Sequence, residues 1–194
     1  MPNLFESLIA RPLAEKMRPT SLELLVGQEH LLAHDAPLGR MLRERRASSM
    51  ILWGPPGSGK TTLAKIIAEH VNMNFEPLSA VFSGVSDLRR VFDKAIERKK
   101  IGEETLLFVD EIHRFNRAQQ DSFLPFVEDG TVVLVGATTE NPSFELNSAL
   151  LSRCKVFILQ KIAEAGLENL VKRAEELEGK KLPLEQRARD ALLS

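Results

Sequence analysis

Apolar positions change period several times along the chain. Residues 1–20 are punctuated by Pro2, Pro12 and Pro19 and precede the first regular pattern. Residues 21–46 read as helical, interrupted near Gly27 and Pro37. From Met50 onward, short apolar runs alternate with stretches whose apolar residues recur every three or four positions. This predicts strands at 50–53, 75–78, 105–110, 131–137 and 154–159, with helices at 60–72, 85–100, 117–127 and 146–151 between them. Thr105–Val109 is nearly continuous in apolar character, as expected of a parallel strand covered on both faces. Strands separated by helices predict an α/β domain with a five-stranded parallel sheet and helices on both faces. Ligands of such sheets gather at the carboxyl ends of the strands, where Gly54, Asp110 and Thr138–Thr139 fall. After Gln160 the pattern is purely helical, at 163–178 and 183–193, so the organisation expected is an N-terminal segment (1–20), an α/β domain (21–160) and the start of an all-helical domain (161–194).

The first of these strands runs straight into a chemical motif. Gly54-Pro55-Pro56-Gly57-Ser58-Gly59-Lys60-Thr61, followed by Thr62, fits G-x-x-x-x-G-K-[ST], a phosphate-binding loop. Triphosphate oxygens need many donors at close range, and Gly57 and Gly59 let the backbone curl its N–H groups inward. Lys60 is expected on the β- and γ-phosphates and the Thr61 hydroxyl on Mg²⁺, with the following helix aiming its positive end at the same oxygens. A strand before the loop and a helix after it supply the required context. A second motif ends the 105–110 strand: Asp110 is placed to hold Mg²⁺ and Glu111 to orient or deprotonate an attacking water. The expected ligands are ATP or ADP with Mg²⁺.

Composition narrows the remaining choices. With 194 residues, 43% hydrophobic and 27% charged, the chain can bury a sizeable core. A net charge of −1 creates no global field toward nucleic acid or membrane, so any DNA contact must be local. Two basic clusters are candidates for it, Arg40, Arg43, Arg45 and Arg46 and then Arg98, Lys99 and Lys100; solvated helix ends are the alternative. The single cysteine, Cys154, forbids an intrachain disulfide, fits a reducing cytosol, and reads as a small buried residue rather than a nucleophile. No signal-peptide pattern and no apolar run of membrane-spanning length is present, so a cytoplasmic location without membrane contact is expected. No His/Cys grouping has the spacing of a structural zinc site. Asn3-Leu4-Phe5 reads as a loose hydrophobic anchor, with a sliding-clamp-binding peptide as the alternative.

Further runs carry a resemblance. Arg18-Pro19, then Leu25-Val26-Gly27-Gln28-Glu29-His30-Leu31, resembles the nucleotide-base-binding segment of clamp-loader-type AAA+ ATPases, and the two motifs above match that family's Walker motifs. Gly136-Ala137-Thr138-Thr139 resembles the sensor-1 strand of Holliday-junction branch-migration motors, and Ser152-Arg153-Cys154 the arginine-finger motif of clamp loaders. The longer runs Asp110–Asn116 and Gly136–Asn147 resemble the replication-associated recombination branch of AAA+ ATPases, bacterial relatives of the Werner-helicase-interacting ATPase.

The resemblance implies an AAA+ P-loop fold followed by a helical lid. It also implies ATP-dependent action on DNA at stalled or damaged replication forks, at junctions or ends, with single-stranded-DNA-binding protein as a partner and a tetrameric homo-oligomer. It assigns Arg18, Pro19, Val26 and Gly27 to nucleotide binding and Arg153 to a finger completing a neighbour's site; the alternative for Arg153 is a surface cation at the end of the preceding helix. Thr139 is the sensor-1 candidate, with Asn141 as rival or as a turn former before Pro142. Ser79 is either a restraint on Glu111 or a strand-end hydroxyl, and His113 either a relay toward Arg114 and Asn116 or a packing residue. The family's sensor-2 arginine and oligomerisation domain are not found in the 194 residues, so the sequence is expected to be an N-terminal piece, monomeric and weakly active alone. The competing readings are a clamp-loader or branch-migration subunit and a nucleotide-binding module that does not turn over.

Overall fold

The computed structural model describes residues 12–182. An N-terminal arm carries three short helices, α1 (Leu13–Lys16), α2 (Glu29–Leu32) and α3 (Pro37–Arg43). The alternating region then runs β1 (Met50–Trp53), α4 (Lys60–His70), β2 (Asn74–Ser79), α5 (Val85–Lys100) and β3 (Thr105–Asp110). It continues through α6 (Arg117–Asp121), α7 (Leu124–Glu128), β4 (Val133–Thr138), α8 (Pro142–Glu145), α9 (Ser148–Leu151), β5 (Lys155–Ile158) and α10 (Glu164–Glu178). The five strands form one parallel sheet in the order β2-β3-β4-β1-β5.

Two hydrophobic layers sandwich the sheet. On one face, Leu52, Leu106 and Val135 pack with Leu63, Ile67 and Ala68 of α4 and with Leu38 and Leu42 of α3. On the other, Ile51, Leu107 and Leu134 pack with Leu88, Val91 and Phe92 of α5 and with Phe123. Each such fully buried aliphatic side chain contributes about 1.5–3 kcal/mol relative to exposure. Because β1, β3 and β4 sit inside the sheet, their residues are buried on both faces, which is why their sequences run apolar without alternation. β5 is an edge, and Val156 and Ile158 remain exposed on it.

Register fixes what stands at the carboxyl ends. Trp53 pairs with Thr138, Val109 with Gly136, and Ser79 with Asp110. The Gly54 amide extends the β1–β4 ladder by donating to the Thr138 carbonyl at 3.2 Å. Gly136 leaves room above β4 for Ile112, since a Cβ there would stand 2.8 Å from Ile112 Cδ1 and Ile51 Cδ1. The 3₁₀ turn Ile112–Arg114 is thereby seated directly on the strand.

Several local expectations need correction. The predicted helix 117–127 is two helices. The Pro125 ring carries no N–H and starts a new helix at its second position, while Ser122 Oγ donates to the Gln119 carbonyl at 2.6 Å. The helix expected at 146–151 begins at Ser148, because Asn147 turns its side chain to accept the Leu150 N–H at 2.7 Å. A separate turn of helix, α8, precedes it, capped by Asn141. One helical turn also forms within the segment read as irregular, at Leu13–Lys16. The predicted helix 183–193 and the Asn3-Leu4-Phe5 reading lie outside the described residues.

Candidate nucleotide site

The loop between β1 and α4 is shaped for an anion. Gly57 and Gly59 have φ values of +75° and +91°, a left-handed conformation that side-chain-bearing residues rarely adopt. Gly59 is the N-cap of the 11-residue α4 and supplies no capping side chain, so the helix's first amides are left to a ligand or solvent. Ser58 Oγ is buried with no hydrogen-bond partner. Lys60 is only 8% exposed, and its ammonium donates to the carbonyls of Gly54 at 2.7 Å and Pro55 at 2.9 Å. Burial pushes the Lys60 pKa below its usual 10.5, while Glu111 and Asp110 work against that shift. The cation is thus held close to two acids from β3 and its following turn.

Those acids occupy different backbone states. Asp110 is the last residue of β3, in regular register. Glu111 has φ +51° and ψ +45°, the left-handed region, at a residue that is not glycine. A conformation of this kind costs about 1–3 kcal/mol and persists where surrounding structure enforces it. Here the Arg114 N–H donates to the Glu111 carbonyl at 2.8 Å, and fully buried Ile112 anchors the turn. The reversal takes Glu111 out of the strand direction.

Lys60, Thr61, Asp110, Glu111 and Thr139 line one cavity of about 380 Å³. Arg18 enters it from the N-terminal arm, and Pro56, Gly57, Gly59 and Thr62 complete the wall. Pro19, Val26 and Gly27 are not in that lining. Val26 and Gly27 instead pack toward the start of the helical region: a Cβ on Gly27 would stand 3.3 Å from Ile162 Cα, and one on Gly166 would stand 2.8 Å from Val26 Cγ1. Gly54, Pro55 and Ser58 form the base of the loop, turning carbonyls toward Lys60 and Gln28.

Two arrangements escaped the sequence reading. Gln28, 1% exposed, donates from Nε2 to the Ser58 carbonyl at 3.2 Å and the Gln160 carbonyl at 2.8 Å; its Oε1 accepts the Gln160 N–H at 3.1 Å. It ties the phosphate loop to the residues after β5. His113 Nδ1 lies 2.9 Å from Thr138 Oγ1 and 3.3 Å from Glu111 Oε2. Glu111 is two residues from His113, but Thr138 comes from β4 and the partners of Gln28 from the loop after β1 and the stretch after β5, so these contacts could not be read from spacing.

Arg153 stands apart from the cavity. Its Nη1 donates to the Ala149 carbonyl of α9 at 2.7 Å and contacts Ser152 Oγ at 3.1 Å, and its guanidinium pairs with Glu128 of α7. Next to it, burial pushes the Cys154 thiol up to about 12, which keeps it a thiol. The Asn141 side chain accepts the Ser143 N–H at 3.0 Å, an N-cap of α8. Ser79 ends β2 opposite Asp110. In the second basic cluster, Arg98 bonds Glu76 at 2.9 Å and Lys99 the Asp129 carbonyl at 2.7 Å. No helix among the described residues is long and apolar enough to cross a membrane.

A parallel sheet with a phosphate loop after its first strand and an acid pair after its third defines a P-loop NTPase fold. Residues 50–162 match the ATPase family associated with various cellular activities, and the chain belongs to this AAA family. It is 53% identical over 165 residues to Replication-associated recombination protein A of Haemophilus influenzae, covering 85% of this chain and 37% of that protein. It is also 54% identical over 166 residues to the ATPase WRNIP1 of Dictyostelium discoideum, covering 86% of this chain and 19% of that one. Among solved structures, the Thermotoga maritima RuvB Holliday junction branch migration motor superposes with a TM-score of 0.67 at 33% identity, covering 84% of this chain and 55% of that one. The chain therefore spans little more than a third of the bacterial relative's length.

Proposed function

We propose that the chain binds ATP with Mg²⁺ and hydrolyses it as the motor domain of a replication-fork remodelling ATPase. The observation that carries the reading is the meeting of Lys60 and Thr61 with Asp110, Glu111 and Thr139 in one cavity, from the ends of three adjacent strands. The residues fit a bound triphosphate: an unpartnered buried hydroxyl at Ser58, an uncapped helix N-terminus and a buried ammonium all favour phosphate oxygens. Thr61 and Asp110 would hold Mg²⁺, which supplies neutralisation of charge on the phosphates. Lys60 would exchange its loop carbonyls for phosphate oxygens, Glu111 would take a proton from the attacking water, and Thr139 would orient that water or the γ-phosphate. Arg18, Pro19, Val26 and Gly27 would bind the nucleotide's base and sugar side, and Arg153 would complete the site of a neighbouring protomer.

The wider reading follows the relatives' names. Action on forked DNA, partnership with single-stranded-DNA-binding protein, a cytoplasmic location and a homotetramer are proposed on similarity to replication-associated recombination proteins and WRNIP1. The division at about residue 160, with a helical lid beyond it, belongs to the same proposal. A branch-migration motor is the second reading, favoured by the RuvB superposition. Steady-state ATP turnover, measured with and without forked DNA and with a Holliday junction, tests the fork and branch-migration readings. Stimulation by forks is expected; preferential stimulation by the junction would favour the second reading, and no binding of Mg-ATP in calorimetry would overturn both.

A further inference from the structure

We propose that His113 and Thr138 form a positioning device that couples the place of the Glu111 carboxylate to the Thr139–Glu140 turn. The inference rests on Glu111 being the hydrolytic base. Thr138 is fully buried at the end of β4, and the His113 side chain is 8% exposed, so their hydrogen bonds have no competition from bulk solvent. The donor and acceptor inventory is tight. Thr138 Oγ1 accepts the Glu140 N–H at 3.0 Å, its own hydrogen can reach the Glu140 carbonyl at 3.2 Å, and His113 Nδ1 lies 2.9 Å away.

A hydroxyl has one hydrogen and two lone pairs. When Nδ1 carries the ring proton, Thr138 accepts from both His113 and Glu140 and donates to the Glu140 carbonyl, so every group is satisfied. When the proton sits on Nε2, Thr138 must turn its hydrogen to Nδ1, and the Glu140 carbonyl loses that donor. The Glu111 carboxylate, 3.3 Å from Nδ1, decides between the two. A negative oxygen there favours a proton on Nδ1 and opposes a lone pair. Movement of Glu111 away from the ring removes that bias and releases the Glu140 carbonyl, changing the turn next to Thr139. The base and the sensor-1 candidate, which meet in one cavity, are thus linked behind its wall.

Long-range proton–nitrogen NMR of the histidine rings tests this directly, at a pH about 1.5 units above the ordinary imidazole pKa of about 6.5. The His113→Gln spectrum identifies the His113 signals among the four histidines. The Nδ1–H tautomer is expected in the wild-type chain and the Nε2–H tautomer in Glu111→Ala. An Nε2–H or doubly protonated ring in the wild type, or the same tautomer in both, would overturn the proposal. Thr138→Val should lower kcat at least tenfold while leaving ATP affinity within twofold, and Thr138→Ser should restore kcat; failure of serine to restore it also counts against the device. If the tautomer switches but Glu111→Gln turns over ATP normally, the coupling stands and the assignment of Glu111 as base falls.

Discussion

The phosphate loop and the segment around Arg153 carry motifs of similar sharpness in the sequence, yet the fold treats them differently. Register between neighbouring strands delivers Lys60, Asp110, Glu111 and Thr139 to one cavity within a single chain. Arg153, after α9, is instead occupied by Ala149, Ser152 and Glu128 outside that cavity. A motif whose parts converge in one chain explains itself structurally. A motif whose key residue points elsewhere either serves a local purpose or needs a second protomer, and the two outcomes differ in what mutation does.

Arg153→Ala separates them most sharply. A finger acting on a neighbour's site would cost about 10³–10⁵ in turnover when lost, with ATP affinity unchanged. A local cap and exposed ion pair would cost only about 0–1 kcal/mol of stability. Mixing gives the decisive form of the test, in a form of the protein that assembles. Lys60→Ala protomers, inactive themselves but carrying Arg153, should partly restore turnover to Arg153→Ala protomers. No restoration, together with near-normal turnover by Arg153→Ala alone, would leave only the local role.

Within the convergent region, Glu111→Gln keeps nearly the same shape but cannot take the water's proton. Turnover should fall about 10²–10⁴-fold with ATP still bound, as single-turnover quench and calorimetry would show. Undiminished turnover would move the base elsewhere. Lys60→Ala acts on binding: removing a buried charge from its partners costs about 3–5 kcal/mol, which corresponds to roughly 10²–10⁴-fold weaker ATP affinity. Calorimetry showing unchanged affinity would remove the phosphate-loop assignment.

The contrast also marks what could be read in advance. The parallel sheet was legible because β1, β3 and β4 are buried on both faces and have apolar runs bounded by Gly54, Asp110 and Thr138. The loop between β1 and α4 was legible because its motif is one contiguous stretch of backbone, Gly54–Thr61, flanked by the expected strand and helix. The Thr138–His113 contact and the Gln28–Gln160 clamp join residues 25 and 132 positions apart, and no local period encodes them. The break in the 117–127 helix was available in Pro125, but the apolar spacing on either side of it continued in helical phase. Arg153 shows a different limit: its local sequence suggested a role, while its contacts within one chain are those of an ordinary helix-end cation.

The smallest effect calibrates the others, because it lies in neither region. Glu76 on edge strand β2 bonds Lys94 at 2.8 Å and Arg98 at 2.9 Å, both on α5. Burial pushes its carboxyl upward, but the bonds from Lys94 and Arg98 together outweigh that and hold it below the usual 4.5. A carboxyl with a lowered folded-state pKa contributes its full stability above the unfolded-state value and loses it as pH falls through the folded one. Glu76→Gln should therefore destabilise the chain by about 1 kcal/mol at pH 7, with the difference shrinking as pH falls below about 4. Urea unfolding of both proteins across that range measures it. ATP affinity at pH 7 should be unchanged, since Glu76 touches α5 and not the phosphate loop. A stability gap that persists at pH 3 would mean that packing of the side chain, rather than its charge, fastens β2 to α5. A change in ATP affinity would mean that the sheet edge and the phosphate loop are coupled, and the contrast between regions would then have to include the edge.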